Sequence, residues 1–321
     1  QFSLRLCKSG YIINKKQNIL NQQTEKEAIV NKELELFDSF GIPLIGMKGP
    51  FIKSEYYGKV PRVYNDLDLL VKSSDAKQFY EKLKKHGYRI EAKTMYDSPM
   101  LNMKFIPKLY MENTQTLMLY NKEKNISIDL HSNLNITNAH FVKSHTKFST
   151  NELFENSKQY KNFKNIRQLD IHDNLCFIIR HLLKHHIFYG KTQTGLKTVI
   201  QHIMDFSVVV NSKDFSENEF KNKTVEYNLS AEAVFCINLY NSIFVSCKKI
   251  EIKPFYDVYK TAEKSCKWRC ILEATQKMDI TDLMIGDFED DFPMLYHSVE
   301  FCQRINNYKL AWFLQAVVIN N

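Results

Sequence analysis

The chain has 321 residues, of which 44% are hydrophobic, so it is long enough to bury one large core or two modest ones. Its 44 basic and 36 acidic residues give a formal net charge of +8, and no tract of like charge is long enough to act as a nucleic-acid arm. No stretch approaches the roughly 18 apolar residues that a membrane span needs. We therefore expect a folded, soluble protein rather than a membrane-spanning or disordered chain.

The cysteines and the first residues bear on where the protein works. The seven cysteines are an odd number, and no two of them form a C-x-x-C pair. The opening residues lack the long apolar region and the small-residue cleavage site of a signal peptide. Reduced thiols and a cytoplasmic protein are therefore expected.

A strand, a turn and a helix are predicted in succession after an amphipathic helix at residues 21–40. The apolar run at 42–45 leads into Gly46-Met47-Lys48-Gly49, which has the backbone freedom that a sharp turn needs. Pro50 follows, and proline is typical of the first position of a helix. Gly49 is therefore expected at a helix N-terminus, where backbone amides and the charge of Lys48 favour a phosphate. A plain tight turn with a solvated lysine is the alternative.

Two carboxylates head the next apolar run, Asp66-Leu67-Asp68-Leu69-Leu70-Val71. Side chains alternate along a strand, so Asp66 and Asp68 are predicted to project from one face. Paired carboxylates can hold a divalent cation. Short acidic pairs also occur in turns and at strand ends, and it is the ordered context on both sides that favours a cation site here.

The segments that follow favour a small mixed sheet. In the last of them, apolar and polar residues alternate as in a half-buried strand, with Asp129 and His131 at polar positions. His131 taken alone indicates a structural hydrogen-bond partner more than a metal ligand. The predicted elements are a helix at 74–86 and strands at 88–90, 116–120 and 126–131.

Taken together, these motifs resemble the polymerase-beta-type nucleotidyltransferase superfamily, and in particular a bacterial group of uncharacterised nucleotidyltransferases. Members of that group carry a Lys-Gly turn, a helix, an arginine, and then Asp-x-Asp at the head of an apolar strand. This chain has Lys48-Gly49, Arg62 and Asp66-Leu67-Asp68 in the same order, and later Asp129-Leu130-His131. Better-studied branches have Gly-Ser where this chain has Lys-Gly, so the way in which they bind the triphosphate cannot be carried over to this chain.

The resemblance implies a fold and a chemistry. The fold is α/β (α+β), with a small mixed sheet and flanking helices. The enzyme moves a nucleoside monophosphate from a nucleoside triphosphate such as ATP to an acceptor, releases pyrophosphate, and uses Mg2+, with Mn2+ as an alternative. Asp66 and Asp68 would bridge the ions, and Asp129 would hold the ion at the nucleophile. Lys48 and Arg62 would bind phosphate oxygens beside Gly49.

From residue 173 onward the pattern is helical. Predicted helices lie at 174–187, 195–210, 230–245, 256–278 and 292–318. The polar segment at 144–170 before them is expected to hold a connecting strand and a short helix at 151–154. We divide the chain into an N-terminal helical segment at 1–40, a catalytic core at 41–145 and a mainly helical domain at 146–321. A cleft between the core and the helical domain is the expected substrate site.

His181 and His185 lie four residues apart on one predicted helix, a spacing that binds zinc in metalloproteases. Glutamate is absent from the position after His181, so the protease motif is incomplete. The bacterial group also has a histidine-bearing helix followed by a helix with an aspartate, which His181, His185 and Asp205 match loosely. We interpret the three, with His131, as polar residues of a substrate cleft, and keep a zinc hydrolase as an alternative.

The acceptor is open at this stage. The resemblance allows a hydroxyl or phosphate of a peptide or small molecule, while other branches modify proteins or tRNA, some as toxins. A second hypothesis is a triphosphate-binding module without catalysis. No membrane partner is expected.

Overall fold

A computed structural model describes residues 10–254, except 59, 61, 63, 65, 91–115, 136–145, 190–192 and 245–246. The helices predicted at 256–278 and 292–318 lie outside the described residues. Two compact units divide the chain: Leu134 and the residues before it together with Ser149–Asp170, and Asn135–Phe148 together with Ile171 and the residues after it. We call them the sheet unit and the helical unit.

The sheet unit is built on a mixed sheet, as the sequence predicted. Its seven described strands are β1 (Leu44–Met47), β2 (Asp66–Val71), β3 (Arg89–Ile90), β4 (Thr116–Asn121), β5 (Ile126–His131), β6 (Lys158–Gln159) and β7 (Ile166–Gln168). They lie side by side in the order β3-β4-β5-β2-β1-β7-β6. The pairs β2–β5 and β1–β7 are parallel, and all other neighbours are antiparallel.

The helices of the sheet unit are α1 (Gly10–Ser39), α2 (Gly49–Ile52, continued by a π-helical turn at Lys53–Tyr57), α3 (Ser73–Lys85) and α4 (Thr150–Asn156). Apolar side chains of α1 and α3 are buried in one cluster with those of β2, β4 and β5, which is why both helices show apolar residues at helical spacing. These two helices therefore cover one face of the sheet.

Alternation along the strands separates the core from the polar residues of the sheet. Leu67 and Leu69 of β2 and Ile128 of β5 are in the buried cluster beneath the helices. Because successive side chains of a strand point to opposite faces, the carboxylates of β2 and β5 project from the other face. We call that other face, which carries Asp66, Asp68 and Asp129, the acidic face.

The turn after β1 depends on a glycine. A Cβ on Gly46 would lie 1.9 Å from the ring of Phe51, so only glycine lets that ring pack directly on the strand. Phe51 is almost fully buried and belongs to the apolar cluster. This close approach fixes the direction in which α2 leaves the sheet, and hence the position of the turn at its start.

The described part of the helical unit consists of helices, in agreement with the sequence prediction. Its helices are α5 (Ile171–Tyr189), α6 (Gln193–Val210), α7 (Glu217–Glu226) and α8 (Ser230–Ile243). Helix α5 contacts each of the other three, and its buried residues include Leu175, Phe177 and Ile179. Among the described residues, no helix combines the length and the hydropathy that crossing a membrane requires.

Two helices and the boundary of the core differ from the sequence prediction. Helix α1 begins at Gly10 rather than at residue 21, and α7 was not predicted. The strands β6 and β7 follow residue 145, where we had drawn the boundary of the core, and they belong to the sheet. Their segment, Ser149–Asp170, therefore groups with the sheet unit.

Candidate active site

Two adjacent parallel strands bring the polar residues of the acidic face together. Asp68 of β2 is the register partner of Asp129 of β5, and the flanking pairs are Asp66 with Ser127 and Leu70 with His131. Residues two apart on one strand share a face, so Asp129 and His131 project from the same side as Asp68. The sequence alternation thus delivers carboxylates from two strands to one place.

The distances at this place are short. One ligand atom from each of Asp68, Asp129 and His131 lies within 4.8 Å of the other two, and this is the metal-ligating group of three or more found among the described residues. His131 Nε2 lies 3.4 Å from Asp68 Oδ1. Lys48 Nζ lies 3.2 Å from the other oxygen, Asp68 Oδ2, in a pair that is almost fully buried.

The turn between β1 and α2 aims Lys48 at the acidic face. Lys48 has φ 48° and ψ −148°, and Gly49 has φ 42°. A non-glycine residue with positive φ costs of the order of 1 kcal/mol or more and is concentrated at functional sites. Helix α2 begins at Gly49, as the sequence predicted. The strained backbone and the buried ion pair together fix the lysine beside Asp68.

Arg62 packs against the same turn. It is only 5% exposed. A Cβ on Gly49 would lie 3.9 Å from Arg62 Nη1 and 3.5 Å from the backbone oxygen of Asp66. Glycine at this position therefore keeps the backbone open between a guanidinium and the start of β2, where a phosphate could approach.

The pKa values of the two carboxylates of β2 are shifted in opposite directions. Burial alone would raise the pKa of Asp68, but the charges and hydrogen bonds of Lys48 and His131 outweigh it and hold that pKa well below its ordinary value. Burial raises the pKa of Asp66, the negative charge of Asp68 raises it further, and Lys48 and Arg62 only partly oppose them. Asp68 is thus ionised at neutral pH, and its charge disfavours ionisation of Asp66.

The structure brings together most of the residues that the sequence selected. Asp66 is held in the same electrostatic network but is not one of the three residues whose ligand atoms lie within 4.8 Å. His131, expected to be a structural partner, is one of those three. Sequence reasoning missed Lys26 on α1, whose pKa burial lowers and the charge of Asp66 partly restores. No local pattern marks Lys26, because the contact joins residues 40 positions apart.

Two of the polar residues predicted on the helical unit, His181 and Asp205, have described side-chain contacts. His181 stacks near His202, with ring centroids 6.0 Å apart, and near Phe177 at 4.3 Å. Asp205 is fully buried and accepts a hydrogen bond from Gln201 Nε2 at 3.2 Å. His202 was missed, although it lies three residues before Asp205 and so shares its helix face. The side chain of His185 lies outside the described residues.

Carboxylates on adjacent strands, beside a buried lysine and a glycine turn, are an arrangement that can hold a cation and a phosphate. A protein-family model described as uncharacterised nucleotidyltransferase matches residues 11–245, more than half of the chain. The chain therefore belongs to this nucleotidyltransferase family, and the sequence prediction of the family and of the enzyme class is confirmed.

Two further comparisons add little. Among solved structures, the chain is similar to the antibiotic-resistance factor ANT(2'')-Ia, described by its solution structure and substrate-regulated conformational dynamics, with 12% identity and a TM-score of 0.38. The alignment covers 66% of this chain and 96% of that one. No curated protein matches the sequence.

Proposed function

We propose that the protein transfers a nucleoside monophosphate from a nucleoside triphosphate to a hydroxyl or phosphate of an acceptor, releases pyrophosphate, and depends on a divalent cation, Mg2+ or Mn2+. Nucleotidyl transfer follows from the family. The observation that supports the rest is the group formed by Asp68, Asp129 and His131, with ligand atoms within 4.8 Å beside the buried Lys48.

The residues of the acidic face fit a divalent cation. Carboxylate oxygens are ligands that Mg2+ and Mn2+ accept readily, and Asp68 is ionised because its pKa is held low. Asp129 and His131 each offer a further ligand atom within 4.8 Å of that of Asp68. When bound, the ion would stabilise charge on phosphate oxygens and lower the pKa of the attacking hydroxyl.

The turn at Gly49 is proposed to hold the triphosphate. Lys48 and Arg62 flank this turn, and both are more than nine-tenths buried. Partly desolvated cations attract phosphate oxygens more strongly than solvated ones, and a guanidinium can bind two oxygens at once. These side chains would orient the α-phosphorus and neutralise the charge that builds on the departing pyrophosphate.

The reaction balances without a further reactant. The acceptor oxygen forms a bond to the α-phosphorus, and the bond from that phosphorus to the oxygen bridging the β-phosphate breaks. The electron pair leaves with pyrophosphate. The acceptor proton passes to Asp129, which is the least buried of the three grouped residues, and from there to solvent.

A peptide or small molecule is the proposed acceptor, and tRNA or protein is the alternative. The part that His181, His185 and Asp205 would play in binding it stays a prediction. The need for a nucleoside triphosphate, together with the free thiols of Cys176 and Cys236, supports a cytoplasmic site of action.

The test is label transfer. The protein is incubated with each α-labelled triphosphate, a divalent cation and a cell extract, and labelled products are separated by class. We expect a labelled product that Asp129→Asn removes and that Asp214→Asn, an exposed aspartate of the helical unit, leaves unchanged. Label on RNA or on protein would select the alternative acceptor. Triphosphate binding that survives Asp68→Ala, with no pyrophosphate from any triphosphate, would replace the proposal with a binding module.

A further inference from the structure

We infer that His131 is a direct ligand of the cation, and that two carboxylates with one imidazole make the site prefer Mn2+ over Mg2+. The inference rests on the proposed function, because it names the ion that this same site would use. It departs from the expectation drawn from sequence, in which Asp66, Asp68 and Asp129 supply all the ligands.

Strand pairing places the imidazole where a ligand is needed. His131 follows Asp129 by two residues on β5, so both project from the acidic face toward Asp68. The His131 side chain is 7% exposed. A buried imidazole must find its polar partners within the protein, and the partner shown for its Nε2 atom is Asp68 Oδ1.

The separation of these two atoms suits two ligands of one ion. At 3.4 Å, His131 Nε2 and Asp68 Oδ1 are farther apart than the roughly 2.7–3.2 Å of an ordinary N–H···O hydrogen bond. Two ligands bonded to one cation at about 2.0–2.2 Å, with an angle between about 90° and 110°, lie about 2.8–3.6 Å apart. Asp129 offers a third ligand atom within 4.8 Å of both, so the three side chains would draw together around a bound ion.

Asp68 can bind the ion through one carboxylate oxygen and keep its contact with Lys48 through the other. Lys48 Nζ contacts Oδ2, whereas His131 Nε2 faces Oδ1. A cation bound at Oδ1 therefore lies on the side of Asp68 away from the ammonium group. The buried Lys48–Asp68 pair can persist in the loaded site, which keeps the lysine in position for the triphosphate.

The ligand set decides which ion is favoured. Mg2+ is hard, takes oxygen ligands and gains little from nitrogen. Imidazole binds first-row transition ions, while carboxylates and phosphate oxygens suit Mn2+ as well as Mg2+. A site with two carboxylates, one imidazole and an oxygen-rich substrate therefore suits Mn2+ better than Mg2+.

The experiment measures Mn2+ on the whole protein after treatment with a chelator. Electron paramagnetic resonance gives the affinity for Mn2+ alone and, by competition, for Mg2+. Electron spin-echo modulation reports a nitrogen bonded directly to the ion. We expect a coordinated imidazole nitrogen and binding of Mn2+ at least about tenfold tighter than that of Mg2+. Replacing 14N by 15N in histidine should change the modulation pattern, a readout that requires no variant.

His131→Gln is the sharpest variant, because its amide oxygen can reach the position of Nε2. It should abolish the nitrogen signal and lower the ratio of Mn2+ to Mg2+ affinity at least about fivefold. His131→Asn serves if the first variant fails to fold, and His86→Asn, an exposed imidazole on the same unit, should change neither quantity.

Two outcomes would overturn the inference, and they differ in what they imply for the proposed function. If labelled nucleotide is transferred but bound Mn2+ shows no coordinated nitrogen, His131 is not a ligand and the proposed function stands. If no cation binds and no triphosphate is consumed, both fail together.

Discussion

Each of the two units buries an aspartate, and the two are held differently. In the helical unit, Asp173 is fully buried and accepts a hydrogen bond of 2.7 Å from Tyr227 Oη, with Lys223 Nζ at 3.4 Å. In the sheet unit, Asp68 is 3% exposed and has Lys48 at 3.2 Å and His131 at 3.4 Å. Both carboxylates thus have a lysine and one further polar partner.

The difference lies in what surrounds each aspartate. Burial and the neighbouring Asp173 raise the pKa of Tyr227, which keeps the phenol a donor, and Lys223 donates to the same phenol at 3.1 Å. Asp68 instead shares its face with two more carboxylates, Asp66 and Asp129. The comparison teaches that a buried aspartate held by a phenol and a lysine differs from one that shares its face with two further carboxylates, an arrangement in which a cation could bind.

The largest expected effect comes from making the same change at both aspartates. Asp68→Asn should lower the rate of pyrophosphate release by about 10²–10³-fold, because charge stabilisation at the reacting phosphate is lost. Asp173→Asn should leave the rate per folded molecule within about twofold and lower the free energy of unfolding by about 1–3 kcal/mol. Urea denaturation and a pyrophosphate assay measure the two quantities.

Asp214→Asn is the control for both variants and should change neither quantity, because Asp214 is exposed. The comparison would fail if folded Asp173→Asn protein lost transfer, or if Asp68→Asn protein kept it.

Lys48→Met should produce the next largest effect. The change leaves the buried Asp68 without its ammonium partner, and breaking such a pair costs about 3–5 kcal/mol. A divalent cation would then supply the missing charge, so the rise in Tm on adding Mn2+ should be larger than in the unaltered protein. Thermal denaturation with chelator and with Mn2+ measures this difference.

Lys77→Met, at an exposed lysine of α3, is the matched control. An unchanged Tm for Lys48→Met in chelator would show that the pair with Asp68 contributes nothing to stability.

Local patterns were enough to predict the part of the site carried by single elements. The alternation in β2 and β5 and the glycine turn before α2 are set by neighbouring residues. The two strands and the helix lie where the sequence predicted them. Helix α7 also had a local signal that was overlooked. Ser216 caps it by accepting from the Glu219 backbone N–H, the spacing of a capping box.

Other features depended on contacts between distant residues. A connecting strand was expected between residues 144 and 170, but its bounds and its pairing in the sheet had no local signal. β6 and β7 have two and three residues, too few for a periodic pattern, and β7 joins the sheet by pairing with β1 more than a hundred residues earlier. The place of His131 likewise depends on the register between β2 and β5. Neither follows from the composition of the segment concerned.

Asp66→Asn should give the smallest effect. The sign of its change in Tm distinguishes a carboxylate that stabilises the fold from one that its neighbours repel. The pKa of Asp66 is raised in the folded protein by burial and by Asp68, so its contribution to stability is present below its ordinary value of 3.8 and is lost as pH rises through the folded value. Asp68 has a lowered pKa, and its contribution is lost only below pH 3.8. Between pH 3.8 and neutrality, the variant should therefore gain Tm relative to the unaltered protein.

In chelator at pH 7 we expect a gain of about 2 °C for Asp66→Asn, because the substitution removes a charge that Asp68 repels. With saturating Mn2+ the order should reverse, since the ion stabilises the protein that retains the charged Asp66. Melting curves from pH 4.5 to 7.5, with chelator and with Mn2+, measure both. A variant less stable than the unaltered protein in chelator at every pH would mean that Asp66 stabilises the fold as Asp173 does, and that the acidic face holds no excess charge for a cation.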